Sequence, residues 1–249
     1  MMSCASCALA LEADPREQAG IWQRIGRACA LKYDGAGCWE AMQKALDIGG
    51  PSAEVYADVA LESVQRMGMW VREPDWSLVE QWARQALELA EEGSLIQGKA
   101  LLALSMETDD LALTRSALAI AERLGDLELR CQSLTTLSHF AWAARDYGPA
   151  CAVMDELLAV LPELPNPDVR ATAFLLAVFC YLRAGKLGQA AHASAQLAET
   201  AAGLTPHHRL HAASTHILLP TLTGRWNEVQ ARTAEAGSAA TSRAPAASP

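Results

Sequence analysis

Apolar residues recur along this chain with the 3.6-residue period of an amphipathic helix. From Tyr147 the apolar positions are Tyr147, Ala150, Cys151, Met154, Leu157, Leu158 and Leu161, one stripe along a helix. The same spacing fits Leu187, Ala190, Ala191, Ser194, Leu197, Ala198 and Ala201, and also Gly35, Cys38, Trp39, Met42, Ala45, Leu46 and Gly49. Trp76, Val79, Ala83, Ala86, Leu87 and Ala90 match with one miss at Glu80, and Leu113, Ala117, Ile120, Ala121 and Leu124 match more loosely. A sixth copy opens at Trp226 and Val229 and then degrades. The copies start at 35, 76, 110, 147, 187 and 226, spaced 34 to 41 residues apart.

A period in this range predicts stacked helical hairpins, each burying its apolar stripe against its neighbours. A polar turn precedes each copy, as in Lys32–Gly35, Arg72–Asp75, Arg145–Asp146, Gly185–Lys186 and Gly224–Arg225. Before those turns the pattern predicts a partner helix over Glu54–Gly68, Glu128–Ala144, Val169–Ala184 and His207–Thr223. Breaks between hairpins fall at Gly49-Gly50-Pro51, Glu92-Gly93-Ser94, Gly125-Asp126, 162–167 and Gly203–Pro206. Asp126, Asn166 and Thr205 are the expected N-caps, because their side chains accept from backbone N–H groups left over at a helix start. The expected fold is all-α: a right-handed α-solenoid of about five and a half helix-turn-helix repeats.

The strings Trp22-x2-Ile25-Gly26-x2-Cys29, Ala41-x3-Ala45 and Pro51 resemble a tetratricopeptide repeat, and Leu134-x2-Leu137, Ala150, Met154 and Pro162 repeat the pattern. Spacings beyond the 34 residues of the strict repeat imply a divergent member with longer helices. Three further strings, 66–75, Ala86–Ala90 and Pro206–His211, resemble helical regions of large bacterial signalling proteins. In those proteins such regions follow class III cyclase or AAA/STAND-type ATPase modules, and maltose-regulator-type relatives precede LuxR-type DNA-binding domains. The resemblance covers roughly residues 15 to 231 and implies a non-catalytic regulatory region that binds a protein or peptide; a region sensing a small molecule or peptide is the alternative. Partner segments of tetratricopeptide arrays bind along the first helices of the hairpins. In that frame Gln23, Arg27, His139 and Trp142 fall on the binding face, and Trp and Arg are enriched at such hot spots.

Composition supports this reading. Ala and Leu dominate over β-branched residues, which excludes a sheet-rich fold. A net charge of −9 argues against a nucleic-acid or anionic-membrane surface and favours basic or apolar partner segments. The longest apolar run, Ala171–Leu182, is too short to span a bilayer, and Met1–Ala13 lacks a signal peptide's basic start. Seven cysteines at mostly apolar helical positions follow no disulfide framework, so a cytoplasmic, reduced protein is expected. Residues 1–231 form the expected repeat domain. The Ala/Ser/Thr/Pro-rich stretch 232–249 is too poor in large apolar residues to bury a core, and reads as a disordered tail. The helical start at Cys7–Leu11 and the lack of a polar cap after the last hairpin suggest a piece of a longer regulator, able to self-associate through that uncapped hairpin.

Candidate chemistry is sparse. Gly93-x4-Gly98-Lys99 approaches a phosphate-binding loop, but Ala100 stands where a Mg²⁺-holding Ser or Thr is needed, and a helix precedes it instead of a strand. His207, His208 and His211 share one helix with His216, and His207 and His211 could share one ion. Two ligands make a poor zinc site, and solvated imidazoles in a first helical turn are the simpler reading. Cys4-x2-Cys7 lacks a second pair. No nucleophile–base constellation stands out, so no enzyme activity, cofactor or metal is expected.

Overall fold

The computed structural model describes residue 12 and residues 14–241, with side chains to residue 234. The Cys4/Cys7 pair and the helix expected over Cys7–Leu11 lie outside the described residues. Twelve α-helices and no strand are present among the described residues. They are α1 (Pro15–Leu31), α2 (Gly35–Gly49), α3 (Ala53–Gln65), α4 (Trp76–Leu89), α5 (Leu95–Thr108), α6 (Leu111–Leu124), α7 (Leu127–Ala143), α8 (Tyr147–Val160), α9 (Pro167–Arg183), α10 (Leu187–Ala201), α11 (Pro206–Leu222) and α12 (Trp226–Thr241). Odd-numbered helices are the first members of hairpins, and the apolar copies read from the sequence are the second members, starting within a residue of each expected position. The fold is an α-solenoid type of helical-hairpin array. Compact units divide it between Phe140 and Ala141, within α7.

In the first unit α1 packs on α2, α3 on α4 and α5 on α6, while α1, α3 and α5 stack in succession. Small residues make the close helix contacts: Ala41, Ala45, Ala83, Ala86, Ala117 and Ala121 are at most 2% exposed. Met42, Leu102 and Leu129 fill the larger spaces of this core. Each such buried side chain contributes about 1.5–3 kcal/mol relative to an exposed one. The second unit repeats the scheme: α9 packs on α8, α10 and α11, and α11 packs on α12. Ala171, Leu197, Ala201 and Ala212 form one buried cluster there.

Cap and turn chemistry explains the boundaries. Asp126 accepts from Leu129 N–H at 2.8 Å and Asn166 accepts from Asp168 N–H at 3.1 Å, both as expected. Thr205 occupies the N-cap of α11 but makes no cap bond; its hydroxyl meets His208 Nδ1 instead. Gly93 ends the preceding turn with positive φ and Ser94 caps α5 through Gln97 N–H, which accounts for the glycine-rich string without a phosphate.

The repeat lengthens by two routes. Helices α1, α7, α9 and α11 each run 17 residues, as the long spacing implied. Helix α3 has only 13, and its hairpin instead carries the extended connection 66–75. At the C-terminal end α12 continues through Thr241, past the boundary expected at 231. Alanine propagates a helix without needing a core, and Arg232 ties this turn to α11 by donating to the His216 carbonyl at 2.6 Å. Helix α12 thus enters the stretch 232–249 whose composition reads as a tail. Residues 242–249 lie outside the described residues.

Candidate functional site

Stacking α1, α3 and α5 brings Gln23, Arg27, Asp58 and Lys99 together. Asp58 lies in the apolar segment Val55–Leu61 of α3 and is 4% exposed, so its carboxylate must find partners inside the protein. Gln23 Nε2 donates to Oδ2 at 2.9 Å, Arg27 Nε to the same oxygen at 2.7 Å, and Lys99 Nζ to Oδ1 at 3.0 Å. The Arg27 guanidinium also reaches Glu54 Oε1 at 2.9 Å. Burial works against the Arg27 charge, but attraction to Asp58 and the bonds to Asp58 and Glu54 outweigh it and raise its pKa. Arg27 and Glu54 keep 40% and 51% of their side chains exposed, so the network presents a polar, zwitterionic surface over a buried anchor.

Two of the four expected binding-face residues, Gln23 and Arg27, thus meet at one point. His139 and Trp142 are carried by α7, the first exposed and the second half-buried. Glu54, Asp58 and Lys99 escaped the sequence reading. A lone carboxylate within a run of buried apolar residues was the available signal for Asp58. Lys99 drew notice only as part of a phosphate-loop string, whereas it serves as an ion-pair partner.

The histidine helix differs from the expected row of solvated imidazoles. His208 is 3% exposed, and its Nε2 lies 3.0 Å from Asp168 Oδ1. His207 and His211 rings are 4.3 Å apart, and burial followed by repulsion from neighbouring imidazoles pushes the pKa of His207 down to about 4. Among the described residues, no group of three or more His, Cys, Asp or Glu is placed to hold a metal ion. Cysteines 29, 38, 131, 151 and 180 are free thiols. Burial pushes Cys38 up to about 12 and Cys131 up to about 11, so both are protonated and poor nucleophiles at neutral pH.

A cavity of about 580 Å³ opens in the second unit among α8, α9 and α10. Leu158, Phe174 and Ala193 line it with Arg170, His192 and Gln196, and the Arg170 Nε is buried without a hydrogen-bond partner.

No protein-family model matches the chain, and no curated protein does either. A solved structure does: PilW, described as a widely conserved type IV pilus biogenesis factor. It superposes with a TM-score of 0.52 over 78% of this chain and 83% of its own, at 18% identity. The likeness is one of fold. It supports an all-helical repeat array of the α-solenoid type. No described helix is long and apolar enough to cross a membrane.

Proposed function

We propose that the chain is a non-catalytic scaffold that binds a protein or peptide segment along the first-helix face of its N-terminal unit. The observation that carries this reading is the Asp58 network, where a buried carboxylate fixes Arg27 and Lys99 while Arg27 and Glu54 remain accessible. Heads held in place lose little side-chain entropy on binding, which is the advantage of a preorganised surface. His139, exposed on α7 in the same unit, would extend the contact. The resemblance to bacterial signalling proteins favours a cytoplasmic regulatory region acting on a cyclase, an ATPase or a transcription factor.

Selection of a random peptide library on the immobilised chain tests this. Enriched peptides should lose binding to the charge-swapped variant Arg27→Glu with Glu54→Arg and keep it with Arg84→Glu, whose side chain is exposed on α4. Failure to enrich peptides, or peptides indifferent to the swap, would refute the assignment. The cavity around Arg170 favours a second reading, in which an anionic small molecule is sensed. Calorimetric titration with small carboxylates against Arg170→Gln separates the two. The last hairpin exposes Leu210, Leu222 and Trp226, each more than 60%, and self-association through it should appear as concentration-dependent mass in light scattering.

A further inference from the structure

The connection between α3 and α4 is unlike the other hairpin turns. Those turns span two or three residues, whereas 66–75 forms a ten-residue strap that folds down onto the start of α2. Met69 anchors it, at 2% exposure, and Trp70 Nε1 donates to the Ser63 carbonyl at 3.2 Å. Gly35 permits the close approach: a Cβ there would sit 2.6 Å from the Trp70 ring and 2.7 Å from the Met69 carbonyl. Trp70 meets Trp39 edge-on with centroids 5.8 Å apart, and Trp39 lies 4.6 Å from Trp82. Long connections with their own packing are disproportionately functional.

The strap and α2 enclose a half-open cavity of about 660 Å³. Its aromatic lining is Tyr33, Trp39 and Trp70, and its carboxylates are Asp34, Glu40, Glu73 and Asp75. Arg72 is the one cation among the lining residues. Asp34 and Asp75 serve as helix caps through one oxygen each, and the bond from Ser77 holds Asp75 below the usual carboxylate range. Glu40 is paired with Lys44 Nζ at 2.6 Å. The remaining three carboxylates against one guanidinium still make the field in this cavity negative, and electron-rich indole faces attract cations. Tyr33 already has the buried Arg66 on its ring, which is itself paired with Glu62, so the two tryptophans carry the remaining capacity.

We propose that this cavity is a second binding site, separate from the Asp58 face, which takes the cationic side chain of a lysine or arginine from a partner peptide. The aliphatic stem lies along Trp39 and Trp70, and the charged head reaches the carboxylates at the rim. Val71 is fully exposed and Met67 mostly so, and both add apolar contact for flanking residues. The site does not depend on the peptide groove proposed above, since its lining belongs to the strap, the α1–α2 turn, α2 and α4.

The chain's seven tryptophans make indole N–H signals in a nitrogen-15 correlation spectrum a site-specific reporter. The probe is the peptide acetyl-Gly-Gly-Lys-Gly-Gly-amide, with its acetyl-lysine twin as control and Trp70→Phe for assignment. The expected result is a saturable shift of the Trp39 and Trp70 signals with the lysine peptide, weakened about tenfold by Glu40→Gln with Glu73→Lys. Val71→Arg, which perturbs only an exposed position, should weaken it in the same direction. No saturable shift up to about 10 mM peptide, equal binding of the acetylated twin, or indifference to both variants overturns the proposal.

Discussion

Replacing Asp58 by Asn tests whether the network on α1, α3 and α5 is a structural anchor. The change keeps shape and one carbonyl acceptor but removes the charge shared by Arg27, Gln23 and Lys99. A hydrogen bond to a charged group contributes about 1.5–3 kcal/mol, and three such bonds converge here. The full sum is not lost: Arg27 is 40% exposed and retains Glu54, and Lys99 is 25% exposed, so water and Glu54 recover part of it. The expected cost is about 2–3 kcal/mol once this screening is included. For a chain of this size each kcal/mol lowers the melting midpoint by about 2–4 °C, which gives a drop of about 4–12 °C by circular dichroism. In a Lys99→Met background the same substitution should cost at least about 1 kcal/mol less, because the interaction it breaks is already gone. A midpoint shift under about 1 °C, or additive effects of the two substitutions, would refute the assignment of Asp58 as the anchor.

Ala190 is fully buried, and Ala190→Glu should unfold the C-terminal hairpins locally; unchanged helicity and midpoint would contradict the packing register. Gly35→Ala drives a methyl into the Trp70 ring and the Met69 carbonyl, so it should cost about 1–3 kcal/mol and shift the Trp70 indole signal. His207 titrates near 4 in the fold against 6.5 for an ordinary imidazole, and His211 and His216 are also lowered by burial. The unfolded chain then binds more protons than the folded one, so the midpoint should fall as pH drops from 6.5 toward about 4. A midpoint that holds or rises over that interval would contradict the burial of these imidazoles.

Helix register was legible because it is local. The apolar spacing from Tyr147 to Leu161 places Ala150, Met154 and Leu157 on one face, and all three are fully buried. Asp126 and Asn166 could be named as caps for the same reason: a cap bond spans only two or three residues. Thr205 sits at the cap position but makes no cap bond, because the imidazole of His208, three residues on, takes its hydroxyl in place of a backbone N–H. Helix α12 runs past 231 because alanine's helix propensity and the Arg232 bond to the His216 carbonyl need no core.

The starts of the second helices and the buried stripe were therefore readable from the chain alone, as consequences of period and local capping. Gln23 and Arg27 could be placed on a face, but what they hold could not, since Asp58 and Lys99 lie 31 to 76 residues away along the chain. The turn of the strap onto Gly35, and the cavity it closes, likewise depend on side chains from separate helices meeting at van der Waals distance. Tertiary structure alone decided those features, because a charge or a ring records in its own neighbourhood that it needs a partner, and packing chooses which one it meets.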